Sequence, residues 1–264
     1  MTGRDRVAPV KIASWNVNSL KVRLPQVLNW CGSAAPDVLA LQETKLTDDR
    51  FPAAEIEAAG YRVAFSGQPT YNGVALLSRD EPKDVVTDPP GVTDEQRRVI
   101  AGTCAGVRVI NLYVVNGEAV GSEKFDYKLD WLGRVTDFVA DELRRHARLL
   151  VVGDFNIAPA PEDVHDPALW EGKVLFSAPE REALEKLTSL GLADTFRLFE
   201  QPEQSFSWWD YRAAAFRRNR GLRIDLVLAS EALAMRCSAA GIDVEPRRWE
   251  RPSDHAPVWA QFDV

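Results

Sequence analysis

The segment Leu149–Pro159, LLVVGDFNIAP, limits the possible folds of this chain more than any other stretch. Four consecutive apolar residues, Leu149 to Val152, suit a strand buried on both faces, and such a strand needs a covering layer on each side. The run stops at Gly153, which permits a tight turn, and Asp154 and Asn156 follow. Alternate residues leaving a strand point the same way, so this acid and amide are expected to project together from the sheet edge. They would pack poorly there, but they suit the binding of a water and a phosphate oxygen. A single acid after a strand is commonly only a turn residue. The weight here comes from recurrence of the same design.

Val10–Trp15 reads as a strand ending in Asn16 and Asn18, and Val38–Leu41 as one ending in Gln42 and Glu43. Val107–Val114 carries Tyr113 and leads to Asn116. Leu222–Ala229 holds Asp225 within it, and Asp254-His255 precede Val258–Phe262. Tyr61–Ala64, Gly73–Ser78, Lys83–Thr87 and Ser205–Trp209 are further expected strands. Apolar residues at helical spacing predict helices over Leu20–Trp30, Glu123–His146 and Pro179–Leu190, with another over Ala193–Phe199. There is no repeat, low-complexity tract or linker. The economical architecture is one α/β domain of mixed sheets with helices outside, covering 10–264 behind an N-terminal extension at 1–9.

The 264 residues, 45% of them apolar, suffice for a large core. No run approaches the roughly 20 apolar residues of a membrane helix, and MTGRDRVAPV lacks the apolar core of a secretion signal. Cys31, Cys104 and Cys237 are odd in number and far apart, which argues against a disulfide framework or a thiolate metal site and fits a reducing cytoplasm. A net charge of −7 disfavours tight nonspecific binding to nucleic acid. Residues 217–223, RRNRGLR, nevertheless carry four arginines and no acid, just after Trp208-Trp209.

Asp225 lies in an apolar run, where an acid is expensive unless partnered, and His255 is the natural partner. A carboxylate on one ring nitrogen fixes the tautomer and favours the charged imidazole. Backbone amides or an arginine would satisfy Asp225 equally well. Glu43 is the leading metal candidate, with Asn16 and Asp254 as further ligands, although an acid capping a helix would look the same. Carboxylates and amides without thiolates favour a hard cation, Mg2+ or Mn2+. His146 and His165 take no role. The chain lacks GxSxG, the Walker lysine loop, GxGxxG and HExxH, which removes serine hydrolases, nucleotide switches, dinucleotide enzymes and zinc peptidases.

SWNVNSL (14–20), LQETK (41–45), GDFNIAP (153–159), FSWWDYR (206–212), NRGLRIDLVLAS (219–230) and SDHAPV (253–258) together resemble the exonuclease III family of abasic-site endonucleases, in order from 10 to 263. The resemblance implies a four-layered α/β sandwich, two mixed β-sheets packed face to face with helices outside. It implies Glu43 as main metal ligand, helped by Asn16 and Asp254, with Lys45 close by. Asp154 would activate the attacking water. Asn156 would orient Asp154 and hold a phosphate oxygen. His255, backed by Asp225, would stabilise the scissile phosphate, and Tyr113 and Asn116 would contact it from the opposite side. Whether Asp154 or His255 is the base stays open.

Trp208, Leu222 and Ile224 would form an apolar pocket for a base-less sugar flipped out of the duplex. Arg217, Arg218, Arg220 and Arg223 would contact phosphates, and Asn18 and Asn219 join the DNA-facing set. Ser19 stands where the family pattern has glycine, and Val115 where it has proline. The implied function is Mg2+-dependent (or Mn2+-dependent) cleavage of duplex DNA 5′ to abasic sites, with 3′→5′ exonuclease and 3′-phosphatase activity. The expected partner is duplex DNA with abasic sites or 3′ ends, engaged by a cytoplasmic, nucleoid-associated monomer without a membrane or obligate protein partner. Competing readings are a phosphatase or phospholipase acting on non-DNA phosphoesters, and a noncatalytic DNA-binding module.

Overall fold

The computed structural model describes residues 9–92 and 95–264, so residues 1–8 of the expected N-terminal extension lie outside the described residues. In chain order the main elements are β1 (Val10–Asn16), α1 (Leu20–Ala34), β2 (Val38–Gln42), α2 (Ala53–Ala58), β3 (Arg62–Ser66), β4 (Val74–Ser78), β5 (Lys83–Val86), β6 (Val99–Cys104) and β7 (Val107–Tyr113). They continue with α3 (Glu123–Arg145), β8 (Leu149–Asp154), α4 (Pro167–Trp170), α5 (Ala178–Thr188), β9 (Leu192–Asp194), β10 (Asp225–Ser230), α6 (Glu231–Ala234), β11 (Cys237–Ile242) and β12 (Val258–Phe262).

The strands form two six-stranded sheets, ordered β11-β12-β1-β2-β4-β3 and β5-β6-β7-β8-β10-β9. Each is mixed: β1–β2 and β7–β8 are parallel, and the other pairs antiparallel. The two-residue period of the strands builds the layers. In β8, Leu150 and Val152 enter the core between the sheets with Ile12, Val38, Val109 and Val227. Leu149 and Val151 point the other way, into the core that holds Trp131, Val135 and Val139 of α3. Across the molecule, Ala13 and Trp15 of β1 and Leu39 and Leu41 of β2 pack with Val27 and Trp30 of α1. The result is helix, sheet, sheet, helix, as the resemblance implies. Each such side chain contributes about 1.5–3 kcal/mol by leaving water, so a one-residue slip of a central strand would turn a whole apolar row the wrong way.

A polar tie crosses the apolar interface between the sheets. The buried Asn111 of β7 donates to the carbonyls of Leu41 (2.9 Å) and Ala75 (3.0 Å) and accepts from Gln42 Nε2 (2.7 Å), which also donates to Ser14 Oγ (2.9 Å). Because these partners belong to β1, β2 and β4, the bonds set how one sheet lies over the other. Helix α3 starts at Ser122, which accepts from Phe125 N, and carries Glu123 and Asp126 in its first turn and Arg144 and Arg145 in its last.

Four expectations need correction. β6 was not foreseen, because VIAGTC interrupts its apolar run with glycine and threonine. Ala193–Phe199 is not a helix: residues 192–194 form edge strand β9 beside β10, and Asp194 then caps a single 3-10 turn by accepting from Phe196 N. Ser205–Trp209 is no strand, since Trp208 makes only isolated bridges to Leu222 and His255. Gly153 is not a turn residue but lies within β8. A Cβ there would fall 1.9 Å from Leu112 O of β7, so the requirement is close backbone approach, with φ at 144°. Among the described residues no helix is long and apolar enough to cross a membrane.

Ser19 sits at φ 90°, in the left-handed region that favours glycine, and its side chain makes no cap bond to α1. Ser19→Gly is therefore expected to relieve about 1 kcal/mol of strain and raise Tm by roughly 2–4 °C. Thermal denaturation of the two proteins checks this.

Candidate active site

Strand direction gathers the polar residues. β1, β2, β7 and β8 end at one edge of the sandwich, while β10 and β12 run antiparallel to β8 and β1 and begin there. Asn16, Tyr113 and Asp154 close their strands, Glu43 follows Gln42, Asp225 opens β10, and Asp254-His255 precede β12. Backbone bonds join the first two loops: Val17 N donates to Gln42 O (3.0 Å), Ser19 N to Glu43 O (2.8 Å) and Leu20 N to Thr44 O (3.0 Å). Asn18, Glu43, Lys45 and Asn156 all adopt positive φ, the local strain typical of a functional rim.

At the centre, the Asn16 amide donates to Glu43 Oε1 (2.8 Å) and Asp154 Oδ2 (2.9 Å), which holds two acids from different sheets side by side. Asn156 binds Asp154 twice, through its backbone N–H to Oδ1 (2.9 Å) and its side-chain amide to Oδ2 (3.3 Å). Asn116 in turn donates to Asn156 Oδ1 (3.1 Å). Lys45 Nζ lies 2.8 Å from Glu43 Oε2 and donates to Asn18 Oδ1 (2.6 Å). The ring of Tyr113 lies under the Arg98 guanidinium, 4.7 Å from its centroid. Burial, then the charges of Glu43 and Asp154, push the Tyr113 phenol well above its ordinary value, so it stays a neutral donor.

Asp225 and Asp154 are register partners on neighbouring antiparallel strands. His255 joins them, with Nδ1 2.9 Å from Asp225 Oδ2 and Nε2 3.7 Å from Asp154 Oδ2. Burial opposes a charge on this imidazole, but Asp225 and Asp154 outweigh it and push its pKa up to about 10. The two acids thus favour the charged form of His255. Burial in turn drives the Asp154 carboxyl upward, against the attraction of His255, which gives it the proton affinity of a useful base.

Two site residues escaped the sequence reading. Ser207 is fully buried, donates to Asp225 Oδ2 (2.6 Å) and accepts from the backbone of Ile224 and Asp225 (3.1 Å each). Ser253 donates to Asn16 O (2.7 Å) and accepts from His255 N (3.2 Å), which ties the β1 loop to the histidine. The only available signal was a serine within each of the two recognised motifs, FSWWDYR and SDHAPV.

Other expected residues fall in several places. Among the described residues the group that could hold a metal is Glu43, Asp154 and His255, whose ligand atoms all lie within 4.8 Å of one another. Asp254 is outside this group: Asn18 donates to one of its oxygens (2.9 Å) and Trp208 Nε1 to the other (3.0 Å). Leu222 and Ile224 are completely buried with Ala158, Val164, Leu175 and Phe176, and Trp208 packs on this cluster. They are the floor beneath Trp208, not an open wall. Arg217, Arg218 and Arg220 are exposed. Asn219 accepts from Trp209 Nε1 and donates to Gln204 O (3.1 Å each), and so braces its own loop.

Arg223 is a correction. It is 1% exposed, with Nε 2.6 Å from Asp163 and Nη2 2.7 Å from Asp194, so it staples the core and reaches no phosphate. An arginine in a basic run looks like a surface contact in sequence, yet its alternation with Leu222 and Ile224 puts it on the opposite, equally buried side.

Paired acids, a buried histidine and converging amides on one edge of a double sheet define a hydrolase of phosphate esters, with a donor set suited to a divalent cation. The family described as Endonuclease/Exonuclease/phosphatase matches residues 13–255, and the chain belongs to that family. Exodeoxyribonuclease III of Haemophilus influenzae is 38% identical over 266 residues, covering 96% of this chain and all of that protein. A Neisseria 3′ phosphatase, NExo, solved with a product DNA hairpin, is 51% identical with TM-score 0.95, covering 97% of this chain and 100% of that one. An AP endonuclease from Archaeoglobus fulgidus is 40% identical with TM-score 0.93, at the same coverages.

Arg223→Met takes the cation from Asp194 and leaves Asp163 with Arg197 alone, and is expected to cost about 3 kcal/mol, lowering Tm by roughly 6–12 °C. Arg218→Ala is expected to leave Tm unchanged and weaken DNA binding in a salt-dependent way. Calorimetry and fluorescence titrations across a salt series separate the two effects.

Proposed function

We propose that this nuclease cleaves duplex DNA 5′ to abasic sites and also trims 3′ ends, as a 3′→5′ exonuclease and 3′-phosphatase. The observation that carries the reading is the convergence of Glu43, Asp154 and His255, with ligand atoms within 4.8 Å, from two loops of one sheet and a strand end of the other. The names of the similar proteins span exodeoxyribonuclease, 3′ phosphatase and AP endonuclease, and this supports several substrates for one site.

In this reading Asp154 takes a proton from the attacking water. Asn156, bonded to both oxygens of Asp154 and through the same side-chain amide to Val114 O (3.0 Å), fixes the direction of Asp154 and would exchange one of these amide bonds for a phosphate oxygen when substrate binds. The charged His255, held in orientation by Asp225 and Ser207, offsets the charge that builds on the phosphate. Tyr113 and Asn116 donate from the other side. Glu43, with Asn16 beside it, would hold Mg2+ or Mn2+, which would neutralise nonbridging oxygens and ease loss of the leaving oxygen. Asp254, gripped by Asn18 and Trp208, orients that shell and stays in reserve as a ligand. Attack at phosphorus breaks the bond to O3′ of the upstream nucleotide and leaves a 3′-hydroxyl and a 5′-phosphate on the base-less sugar. Trp208, on its floor of Leu222 and Ile224, supplies the apolar surface for that sugar. Arg217, Arg218 and Arg220 engage backbone phosphates. A cytoplasmic location is supported by its three free cysteines, which suit a reducing compartment.

Purified protein on matched duplexes with and without one abasic site, in Mg2+ and in EDTA, tests the proposal. Incision of the abasic duplex alone, abolished by EDTA, is the expected result, and faster turnover of inositol phosphates than of either duplex would overturn it. Asp154→Asn is expected to lower kcat by about 10²–10⁴-fold with DNA affinity retained. Glu43→Gln is expected to raise the Mg2+ concentration needed for half-maximal rate at least tenfold, read from metal titrations of the initial rate.

A further inference from the structure

Helix α3 carries a lysine on its apolar stripe. Lys128 precedes Leu132, Val135 and Val139 at helical spacings of four, seven and eleven, and is fully buried like them. A buried ammonium is expensive unless each of its three protons finds an acceptor. Here all three do. Lys128 Nζ pairs with Glu180 of α5 and donates to two backbone carbonyls, Asn156 O at 2.7 Å and Asn116 O at 3.0 Å. Glu180, also fully buried, accepts from Leu175 N and Ser177 N (3.0 Å each) and from Ser177 Oγ, so it is fixed from its own side.

A salt bridge serving only to join α3 to α5 would account for the Glu180 contact and not for the two carbonyls. Those carbonyls belong to two loops that are far apart in sequence, and both residues send their side-chain amides to the catalytic edge, where Asn116 bonds Asn156 and Asn156 bonds Asp154. The loops are also crowded against the lysine stem. A Cβ on Gly117, at φ 93°, would approach Lys128 Cδ to 3.0 Å. Asn156 itself holds φ 50°, a conformation that needs support from its surroundings.

We propose that Lys128 is a positioning residue: its ammonium, anchored by Glu180, clamps the backbones of Asn116 and Asn156 from beneath so that their amides meet the reacting phosphate in register. The inference rests on the reading of those two asparagines as phosphate ligands. No bond joins Lys128 to the Glu43 loop, so the clamp reaches the cation site only indirectly, through Asn156 and Asp154.

Lys128→Met/Glu180→Gln removes both buried charges together and avoids stranding one of them, and Lys128→Gln keeps two of the three donor protons without the charge. Steady-state kinetics on abasic duplex, Mg2+ titration and thermal melts are compared with wild type. A misplacement of about 1 Å lowers rate by about 100-fold. The double variant is therefore expected to lose kcat about 100-fold and Lys128→Gln about tenfold, with KM and the half-saturating Mg2+ concentration within about twofold of wild type. Wild-type kcat in a folded variant that lacks the lysine overturns the proposal, as do losses of kcat that follow Tm alone or come with equal losses in KM and metal response. An inactive wild-type protein would instead sink the nuclease reading.

Discussion

Asp154 and Asp225 stand opposite one another on β8 and β10, buried, and the charge that reconciles them comes from the other sheet. Two carboxylates so placed repel, and burial leaves little solvent to screen the repulsion. His255, carried by the loop before β12, brings its ring to both. The acids favour the charged histidine, and a charged histidine offsets part of the cost of burying the acids. Sheet-on-sheet packing is thus required by electrostatics at this edge as well as by the apolar core behind it.

Because the site is divided between sheets, its accuracy depends on how they lie together. The Asn111 tie to β2 and β4 sets that relation inside the sandwich, at a place where an unmet amide would be costly. At the rim, Asn16 spans Glu43 and Asp154, and Ser253 spans Asn16 and His255. These short polar side chains turn strand ends into fixed coordinates for the groups of the site.

Much of this was legible in the sequence, for physical reasons. Strands buried on both faces read as continuous apolar runs, and the residues that end them advertise themselves by being polar, so Asn16, Glu43, Asp154, Asn156 and His255 could be picked out, and Asp225 found its histidine. What stayed hidden depends on side-chain direction within mixed segments. Arg223 looks like its exposed neighbours Arg217, Arg218 and Arg220 until the pleat turns it inward to Asp163 and Asp194. Leu222 and Ile224 were rightly apolar, but only the fold shows that they lie under Trp208. Ser207 and Ser253 are too common a residue type to stand out. Lys128 could have been noticed, because a lysine in an apolar helical stripe is an anomaly, though its two carbonyl partners lie in loops that no periodicity connects.

The pairing of β1 with β12 places Val10 directly across from Phe262. β1 runs toward the catalytic edge and β12 away from it, so both of these residues lie at the remote end of the sandwich. An affinity handle, a fluorophore or a tethered second enzyme attached near either one would sit at the end of the sandwich away from Glu43, Asp154 and His255.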